Sequence, residues 1–244
     1  MLKMVKQFVR RERKEPQPTP TPVHNRRFLA AAYLWGQGLE IGALHNPLPL
    51  PPQAQVRYVD RFDVIELRRH YPELHGQSFV PIDIVDDGEK LTTVEDGSQD
   101  FVIANHFLEH CEDPIGTLKN HFRVLRPDGF LYLAVPDKRF TFDANRPLTP
   151  LGHLYSDHLH GPEGSRQQHY EEWVLLVNQA RDPAEAQRQL EYLRAINYSI
   201  HFHVWDQATW LEFLHAMQQE LNFEIEVFMQ SGHEMINILR KRMG

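Results

Sequence analysis

One stretch decides the fold, DFVIANHFLEHCEDPIGTLKNHFRVLRPDGFLYLAVPD, residues 100–137. Its first segment, 100–107, is an apolar run of strand type, and the apolar residues of 114–125 recur at helical spacing. Pro114 suits the first turn of that helix and Asp113 suits its N-cap. A polar RPDG turn then leads into a second apolar run. The stretch therefore predicts a strand, a helix and a second strand that lies parallel to the first.

The same alternation precedes this stretch. Strands are predicted at 38–44, 56–60 and 79–85, with a helix at 64–71. Apolar strands that alternate with helices indicate a parallel sheet covered on both faces. The sequence therefore predicts an α/β fold, doubly wound, with a mostly parallel sheet.

The chain after this stretch breaks the alternation and then closes the sheet. Residues 138–200 are polar, rich in His and Arg, and predicted to be helical around 166–195, so we interpret them as a helical insertion. Asp206 suits the cap of a helix that extends to residue 221. Strands at 223–230 and 233–241, joined through Ser-Gly, predict a C-terminal antiparallel hairpin.

The amino-acid composition limits the classes of protein to which the chain can belong. Of the 244 residues, 41% are hydrophobic and 24% charged, which is the balance of a globular domain. The single cysteine, Cys111, excludes an intramolecular disulfide and a zinc cluster of several cysteines, and it favours a reducing compartment. The sequence has no apolar run of 18 residues, and Lys3, Lys6 and Arg10 interrupt the N-terminus. We therefore expect a cytoplasmic protein without a transmembrane segment.

The N-terminal segment differs from the rest of the chain. Residues 1–14 hold six Lys or Arg and one Glu, and 16–22 read PQPTPTP. We expect 1–22 to be a basic segment with a proline-rich linker and 23–244 to be one domain. The basic segment either contacts an anionic membrane surface or a partner weakly, or is a solvated terminus. The net charge of −7 argues against nucleic acid as a partner, and the oligomeric state is left open.

Four ordered motifs resemble those of class I S-adenosylmethionine-dependent methyltransferases with a type 11-like domain. They are LEIG at the first strand, YVDR at the second, PIDIVDD at the third, and the whole stretch 100–137. The likeness covers about residues 37–137 and implies a Rossmann-like fold, S-adenosyl-L-methionine as cofactor, and methyl transfer. The chain departs from the family at the first loop, where only Gly42 remains of the usual G-x-G-x-G.

The resemblance and the fold together nominate site residues. Ligands of open α/β sheets bind beyond the carboxyl ends of the strands. Asp60, eighteen positions past Gly42, is placed to accept hydrogen bonds from ribose hydroxyls. His106 follows the fourth strand, where the methyl group should point, so it is either the catalytic base or a hydrogen-bonded wall residue. The residues expected to contact the cofactor are Glu40, Gly42, Ala43, Asp60, Arg61, Asp83, Ile84 and Asn105.

The insertion is expected to bind the acceptor, a small molecule or a glycan. Tyr170, His201 and His203 are its candidate acceptor-binding side chains. In an extended SIHFHVW segment the two histidines would face the same side. They could then bind a metal, but without identified partners a polar wall is the favoured interpretation, and no metal is expected.

Three other functions compete with this interpretation. His106 to His110 fit the H-x-x-E-H pattern of one zinc-protease group, but a strand end followed by a loop does not place both histidines on one helix face. The altered first loop would also suit a non-enzymatic protein that binds S-adenosylmethionine or a nucleotide. A nicotinamide-dependent oxidoreductase is disfavoured because its pyrophosphate would need the missing glycines.

Overall fold

A computed structural model describes residues 22–243 of the chain. The predicted basic segment and nearly all of the predicted linker lie outside the described residues. The division of the chain at residue 22 therefore stays an expectation.

A seven-stranded sheet forms the centre of the protein, in the order β3-β2-β1-β4-β5-β7-β6. The first five strands are parallel, and β7 pairs antiparallel with β5 and with β6. This confirms the predicted mostly parallel sheet with a C-terminal hairpin. The strands are β1 (Gly36–Ile41), β2 (Ala54–Asp60), β3 (Ile84–Val85), β4 (Gln99–Asn105), β5 (Leu125–Pro136), β6 (Phe223–Ser231) and β7 (Glu234–Lys241).

Seven α-helices accompany the sheet in the described part of the chain. Both predicted N-caps are confirmed: Asp113 accepts a hydrogen bond from the backbone of Gly116, and Asp206 forms a capping box with Thr209. The helices are α1 (Pro22–Tyr33), α2 (Val64–His70), α3 (Pro114–Val124), α4 (Leu151–His160), α5 (Glu163–Glu172), α6 (Pro183–Ala195) and α7 (Gln207–Gln218).

Each face of the sheet carries its own core. On one face α3, α4 and α7 pack against β1, β4, β5 and β7, with Trp210 and Phe213 among the fully buried side chains. On the other face α1 contributes Leu29 and Ala30 to a smaller core with Tyr132 of β5. Burial on both faces explains why the strands are nearly continuous apolar runs.

The insertion between β5 and α7 is helical, as predicted, and has a small core of its own. Tyr170, Val174 and Leu193 are buried there, and a π-helical turn (Trp173–Val177) continues α5. The insertion joins the main domain through backbone hydrogen bonds. The amides of Phe202 and His203 both donate to the carbonyl of Glu109, at 2.7 and 3.2 Å, in the loop after β4.

Several predicted boundaries were wrong. The third strand spans only Ile84–Val85, since Pro81 lacks an amide donor and the Asp83 carboxylate takes the Tyr58 amide at 2.8 Å. The RPDG turn lies inside β5, where Asp128 adopts a φ of 63° beside a register shift. Helix α1 was not predicted at all.

Among the helices of residues 22–243, none has the length and apolar character of a membrane-spanning segment.

The close approach of β1 and β4 gives a stability prediction. A Cβ added at Gly38 would lie 2.3 Å from the Phe101 ring and 2.4 Å from its carbonyl oxygen. We expect Gly38→Ala to lower the free energy of unfolding by about 1–3 kcal/mol, because the backbone of a central strand must shift. Gly164→Ala, exposed in α5 with nothing near, is the control and should be neutral or stabilising. Urea denaturation that ranks the two variants equally would contradict this packing.

Candidate active site

The carboxyl ends of β1, β2 and β4 lie at one edge of the sheet and carry most of the nominated residues. The Gly42 amide donates to the Val59 carbonyl at 3.0 Å, which joins the first loop to the end of β2. Gly42 has a φ of +65°, a conformation that glycine adopts without strain. Ala43 follows in a turn, where its carbonyl accepts from Asn46. The parallel register thus brings the ends of these strands together as the sequence predicted.

Asp60 ends β2 as a nearly buried carboxylate. One of its oxygens accepts the Arg61 amide at 2.8 Å. Burial raises its pKa to about 6, against the lowering effect of the Arg61 amide and charge. The carboxylate is therefore ionised at pH 7 and still a strong acceptor for a hydroxyl donor.

Two buried oxygens at this edge have no hydrogen-bond donor among the described residues. Glu40 accepts the Leu48 amide at 2.8 Å through Oε1, but its Oε2 has no partner. Burial raises the pKa of Glu40 to about 7. The Oδ1 of Asn105 is likewise buried and unpaired. Because unpaired buried acceptors are costly, this edge is suited to a ligand that brings hydrogen-bond donors.

Three nominated residues are engaged elsewhere or placed differently. The Arg61 guanidinium lies 2.7 Å from the His70 ring and over the Phe62 ring, so it points toward α2. Asp83 precedes β3 and pins the Tyr58 amide, and Ile84 lies within β3. Asp83 therefore stands before the third strand and Ile84 within it, because that strand begins later than predicted.

The residues that do follow β3 are Asp86 and Asp87, which the sequence analysis missed. Asp86 accepts hydrogen bonds from the hydroxyls of Thr92 and Thr93 at 2.9 and 2.7 Å. These bonds outweigh desolvation and lower its pKa. Asp86 therefore fixes the loop at this edge, whereas the Asp87 side chain is about half exposed and pairs with Lys90.

His106 lies directly beyond β4, and contacts with neighbouring residues fix both its backbone and its ring. Its φ is +49°, and its amide donates to the Ala134 carbonyl at 2.7 Å. The ring is 32% exposed. Its Nε2 lies 2.9 Å from Glu234 and its Nδ1 lies 3.4 Å from Glu109. Both ring nitrogens therefore face carboxylates.

A buried charge cluster completes this arrangement. Arg26 of α1 donates to both carboxylate oxygens of Glu234, one of them at 2.9 Å. Burial would raise the pKa of Glu234, but His106 and Arg26 together lower it to about 2. Burial likewise would lower the pKa of His106, but its hydrogen bonds to Glu109 and Glu234 raise it to about 9. We call Arg26, His106, Glu109 and Glu234 the charge cluster.

The charge cluster changes the expectation for His106. With a pKa of about 9 the imidazole is protonated at pH 7, and each ring nitrogen faces a carboxylate. A protonated imidazole accepts no proton, so the geometry favours a cationic role over that of a base. Sequence reasoning missed Arg26 because α1 was not predicted, and it missed Glu234 because a strand-start carboxylate carries no motif.

The nominated acceptor-binding residues lie inside the insertion instead of on an open wall. Tyr170, His201 and His203 are all buried. The Tyr170 hydroxyl donates to the Tyr198 carbonyl at 2.8 Å. His201 lies 2.6 Å from Asp143, whereas His203 packs toward a different group of side chains. The two histidines do not share one surface.

The H-x-x-E-H pattern is not a zinc-protease site here. Leu108–His110 form a single 3-10 turn, not a regular helix. His106 faces Glu109 and Glu234, whereas the His110 Nδ1 lies 2.9 Å from the Ile200 carbonyl. The two histidines therefore have separate partners, as the sequence analysis expected.

Comparison with known proteins adds the deciding observation. Residues 42–133 match the family model of a methyltransferase domain. This segment contains the first loop, Asp60, Asn105 and the charge-cluster residues His106 and Glu109. This segment of the chain is similar to a methyltransferase domain, and the match supports S-adenosylmethionine-dependent methyl transfer as the general activity.

Solved structures show the same fold. A protein from Bacillus halodurans C-125 that was solved as a candidate methyltransferase has 14% identity and a TM-score of 0.52, over 91% of this chain and 99% of that one. A protein solved as a candidate zinc-dependent alcohol dehydrogenase from Rhodobacter sphaeroides has 14% identity and a TM-score of 0.52, over 88% of each chain. At this identity the likeness concerns the fold alone. No curated protein matches the chain by sequence.

The residues of the methyltransferase edge fit the cofactor. S-adenosylmethionine carries ribose hydroxyls, an ammonium group and a sulfonium, all of which are hydrogen-bond donors or positive. The edge offers the Asp60 carboxylate and the unpaired oxygens of Glu40 and Asn105. Asp60 would hold the ribose, and Glu40 and Asn105 would accept from the remaining donors.

Cofactor affinity should depend on Asp60 and on its ionisation. We expect Asp60→Ala to weaken the binding of S-adenosylhomocysteine by about 1.5–3 kcal/mol, because charge-assisted hydrogen bonds are lost. Since its pKa is about 6, wild-type affinity should fall as the pH drops through 6. Asp83→Ala is the matched control and should keep its affinity while losing stability. Isothermal titration in which both variants bind like the wild type would remove the ribose assignment.

Proposed function

We propose that the methyltransferase modifies a small polar acceptor of glycan type, bound between the charge cluster and the start of the insertion. The supporting observation is a pair of exposed aromatic side chains, Phe140 and Phe142, which we call the aromatic pair. Phe140 and Phe142 are 58% and 55% exposed in the segment that directly follows β5. Sugar rings stack their C–H faces on such exposed aromatic rings, and exposed apolar side chains grouped in this way mark binding surfaces.

Two backbone hydrogen bonds and one ring contact connect the segment of the aromatic pair to the charge cluster. The Asp137 amide donates to the His233 carbonyl at 2.9 Å, and the His233 ring centroid lies 5.9 Å from that of His106. Phe140 follows three residues later, its amide bonded to the Asp137 carbonyl at 3.0 Å. The segment that carries the aromatic pair therefore begins next to the loop that holds His233 against His106.

The chain's own residues supply positioning and charge. S-adenosylmethionine supplies the electrophilic methyl group, and transfer requires an acceptor atom held in line with it. The His106 imidazolium, fixed by Glu109 and Glu234, places positive charge beside the acceptor oxygen. This charge stabilises the negative charge on the acceptor oxygen as its proton passes to solvent water; the S–CH3 bond of the cofactor breaks as the O–CH3 bond forms, and S-adenosylhomocysteine leaves.

Two other features of the chain support the proposed acceptor class and a reducing compartment. The net charge of −7 supports an acceptor other than nucleic acid. A single, buried cysteine supports a reducing compartment such as the cytoplasm.

The acceptor class can be tested by a screen. Full-length protein is incubated with S-adenosylmethionine and with neutral sugars, uronic acids, phenols or amines, and release of S-adenosylhomocysteine is measured. We expect turnover with the sugars or uronic acids. Phe140→Ala and Phe142→Ala should raise KM for that acceptor about tenfold, the equivalent of 1.4 kcal/mol, and leave cofactor affinity unchanged. Tyr192→Ala, an exposed aromatic of α6, is the control. Turnover with phenols or amines alone would overturn the glycan assignment.

The role of His106 predicts a direction of pH dependence. Because its pKa is about 9 and the protonated form is active, kcat/KM should fall as the pH rises through 9. A base would give a rise over the same range. His106→Asn, which tolerates the positive φ, should lower kcat by about 10²-fold, and His106→Lys should retain more activity because it keeps the charge. His215→Asn, exposed on α7, is the control. Higher activity of the Asn variant than of the Lys variant would contradict the cationic role.

A further inference from the structure

Four side chains of the insertion converge in a group that the methyltransferase reaction does not use. They are His153 and Asp157 of α4, His169 of α5, and His203 of the segment before α7. One potential ligand atom of each lies within 4.8 Å of those of the other three. Asp157, His169 and His203 are buried, and His153 is half-buried. We call these residues the histidine group.

The spacing of the elements explains the convergence. His153 and Asp157 are separated by one helical turn, so they share a face of α4. Helix α5 follows after Gly161 and presents His169 to that face, where the His153 and His169 Nε2 atoms are 3.0 Å apart. The three imidazole rings surround a common centre, with centroid separations of 5.0, 5.2 and 5.7 Å.

Asp157 and His203 each have a side-chain atom without a hydrogen-bond partner among the described residues. The Nε2 of His203 lies 3.3 Å from the Glu112 carbonyl, and a hydrogen donated there leaves a lone pair on Nδ1. That Nδ1 is buried and has no hydrogen-bond partner in the described part of the protein. Asp157 accepts the Ser165 hydroxyl at 2.8 Å through Oδ1, which leaves Oδ2 for the centre. Outer hydrogen bonds of this kind orient metal ligands in proteins.

A buried carboxylate within the group suits a cation. The Asp157 side chain is 6% exposed, and its Oδ2 lies 3.1 Å from the His153 Nε2. A buried carboxylate is costly unless its charge is matched, and a divalent ion bound by the group would match it.

Two other groups of ligand-type side chains are less suitable. In the group of His106, His233 and Glu234, the carboxylate is already paired with Arg26. In the group of Glu109, His110 and His201, the two histidine Nδ1 atoms lie within hydrogen-bond distance of the Ile200 carbonyl and of Asp143.

We propose that His153, Asp157, His169 and His203 bind one zinc ion, which clamps α4 and α5 to the segment that holds the insertion against the loop after β4. Three imidazoles and one carboxylate form a four-ligand set of the kind that zinc takes in tetrahedral sites. The set has no position reserved for a substrate, so the role is structural. Metal–nitrogen distances of about 2.0–2.1 Å would require small side-chain shifts from the present separations.

Metal content of the full chain tests the proposal. Protein treated with a chelator and dialysed is titrated with Zn²⁺ alone, and bound metal is measured by mass spectrometry. We expect one zinc per chain and a rise in Tm on binding. His153→Ala and Asp157→Asn should weaken zinc affinity at least tenfold. His160→Ala, exposed on the same helix, should bind like the wild type.

Cobalt provides a second measurement that distinguishes this site from adventitious binding by the chain's other histidines. Co²⁺ bound to the wild type and to His160→Ala should show the visible absorption of tetrahedral coordination, and Asp157→Asn should lose it while keeping its far-UV circular dichroism. Less than stoichiometric zinc in the wild type, or equal zinc affinity in His153→Ala and wild type, would overturn the proposal and leave a hydrogen-bonded histidine network.

Discussion

The structure of the active edge depends on one buried carboxylate, that of Glu234. It is shared between Arg26 of α1 and His106 after β4, and it stands at the first residue of β7. A buried anion is tolerated only when its charge and hydrogen bonds are matched, and removing one partner of such a pair costs about 3–5 kcal/mol. Glu234 therefore joins α1 on one face, the central sheet and the loop after β4 into a single arrangement. With Glu109 the charges of the cluster sum to zero.

The same loop also anchors the insertion. The Glu109 side chain contacts His106, and its carbonyl accepts the amides of Phe202 and His203. The proposed zinc site holds His203 from the other side. The loop after β4 is thus fixed between the charge cluster and the insertion, which accounts for the positive φ that His106 sustains.

Much of the fold could be predicted because its signals are local. Apolar runs gave β1, β2, β4 and β5, and the caps at Asp113 and Asp206 follow from propensities of single residues. The edge of the sheet that carries Gly42 and Asp60 followed from the parallel topology. The third strand was predicted to begin too early, since the Asp83 side chain takes the Tyr58 amide in front of it, which no periodicity shows.

The chemistry of the site could not be predicted from the same signals. The state of His106 depends on Glu234, 128 residues away, and on Arg26, 208 residues from Glu234. The histidine group joins three segments whose letters, taken alone, describe a polar insertion. Tyr170, His201 and His203 were nominated for their chemistry, but burial, which the sequence does not state, places them in the interior.

The central claim is that the charge cluster keeps His106 protonated at neutral pH. Nitrogen-15 NMR of histidine-labelled protein tests it most directly, with the His106 signals assigned by their loss in His106→Asn. The account predicts that both ring nitrogens are protonated at pH 7.5, that they titrate near pH 9, and that Glu234→Gln lowers this pKa. A single neutral tautomer of His106 at pH 7.5 would contradict it.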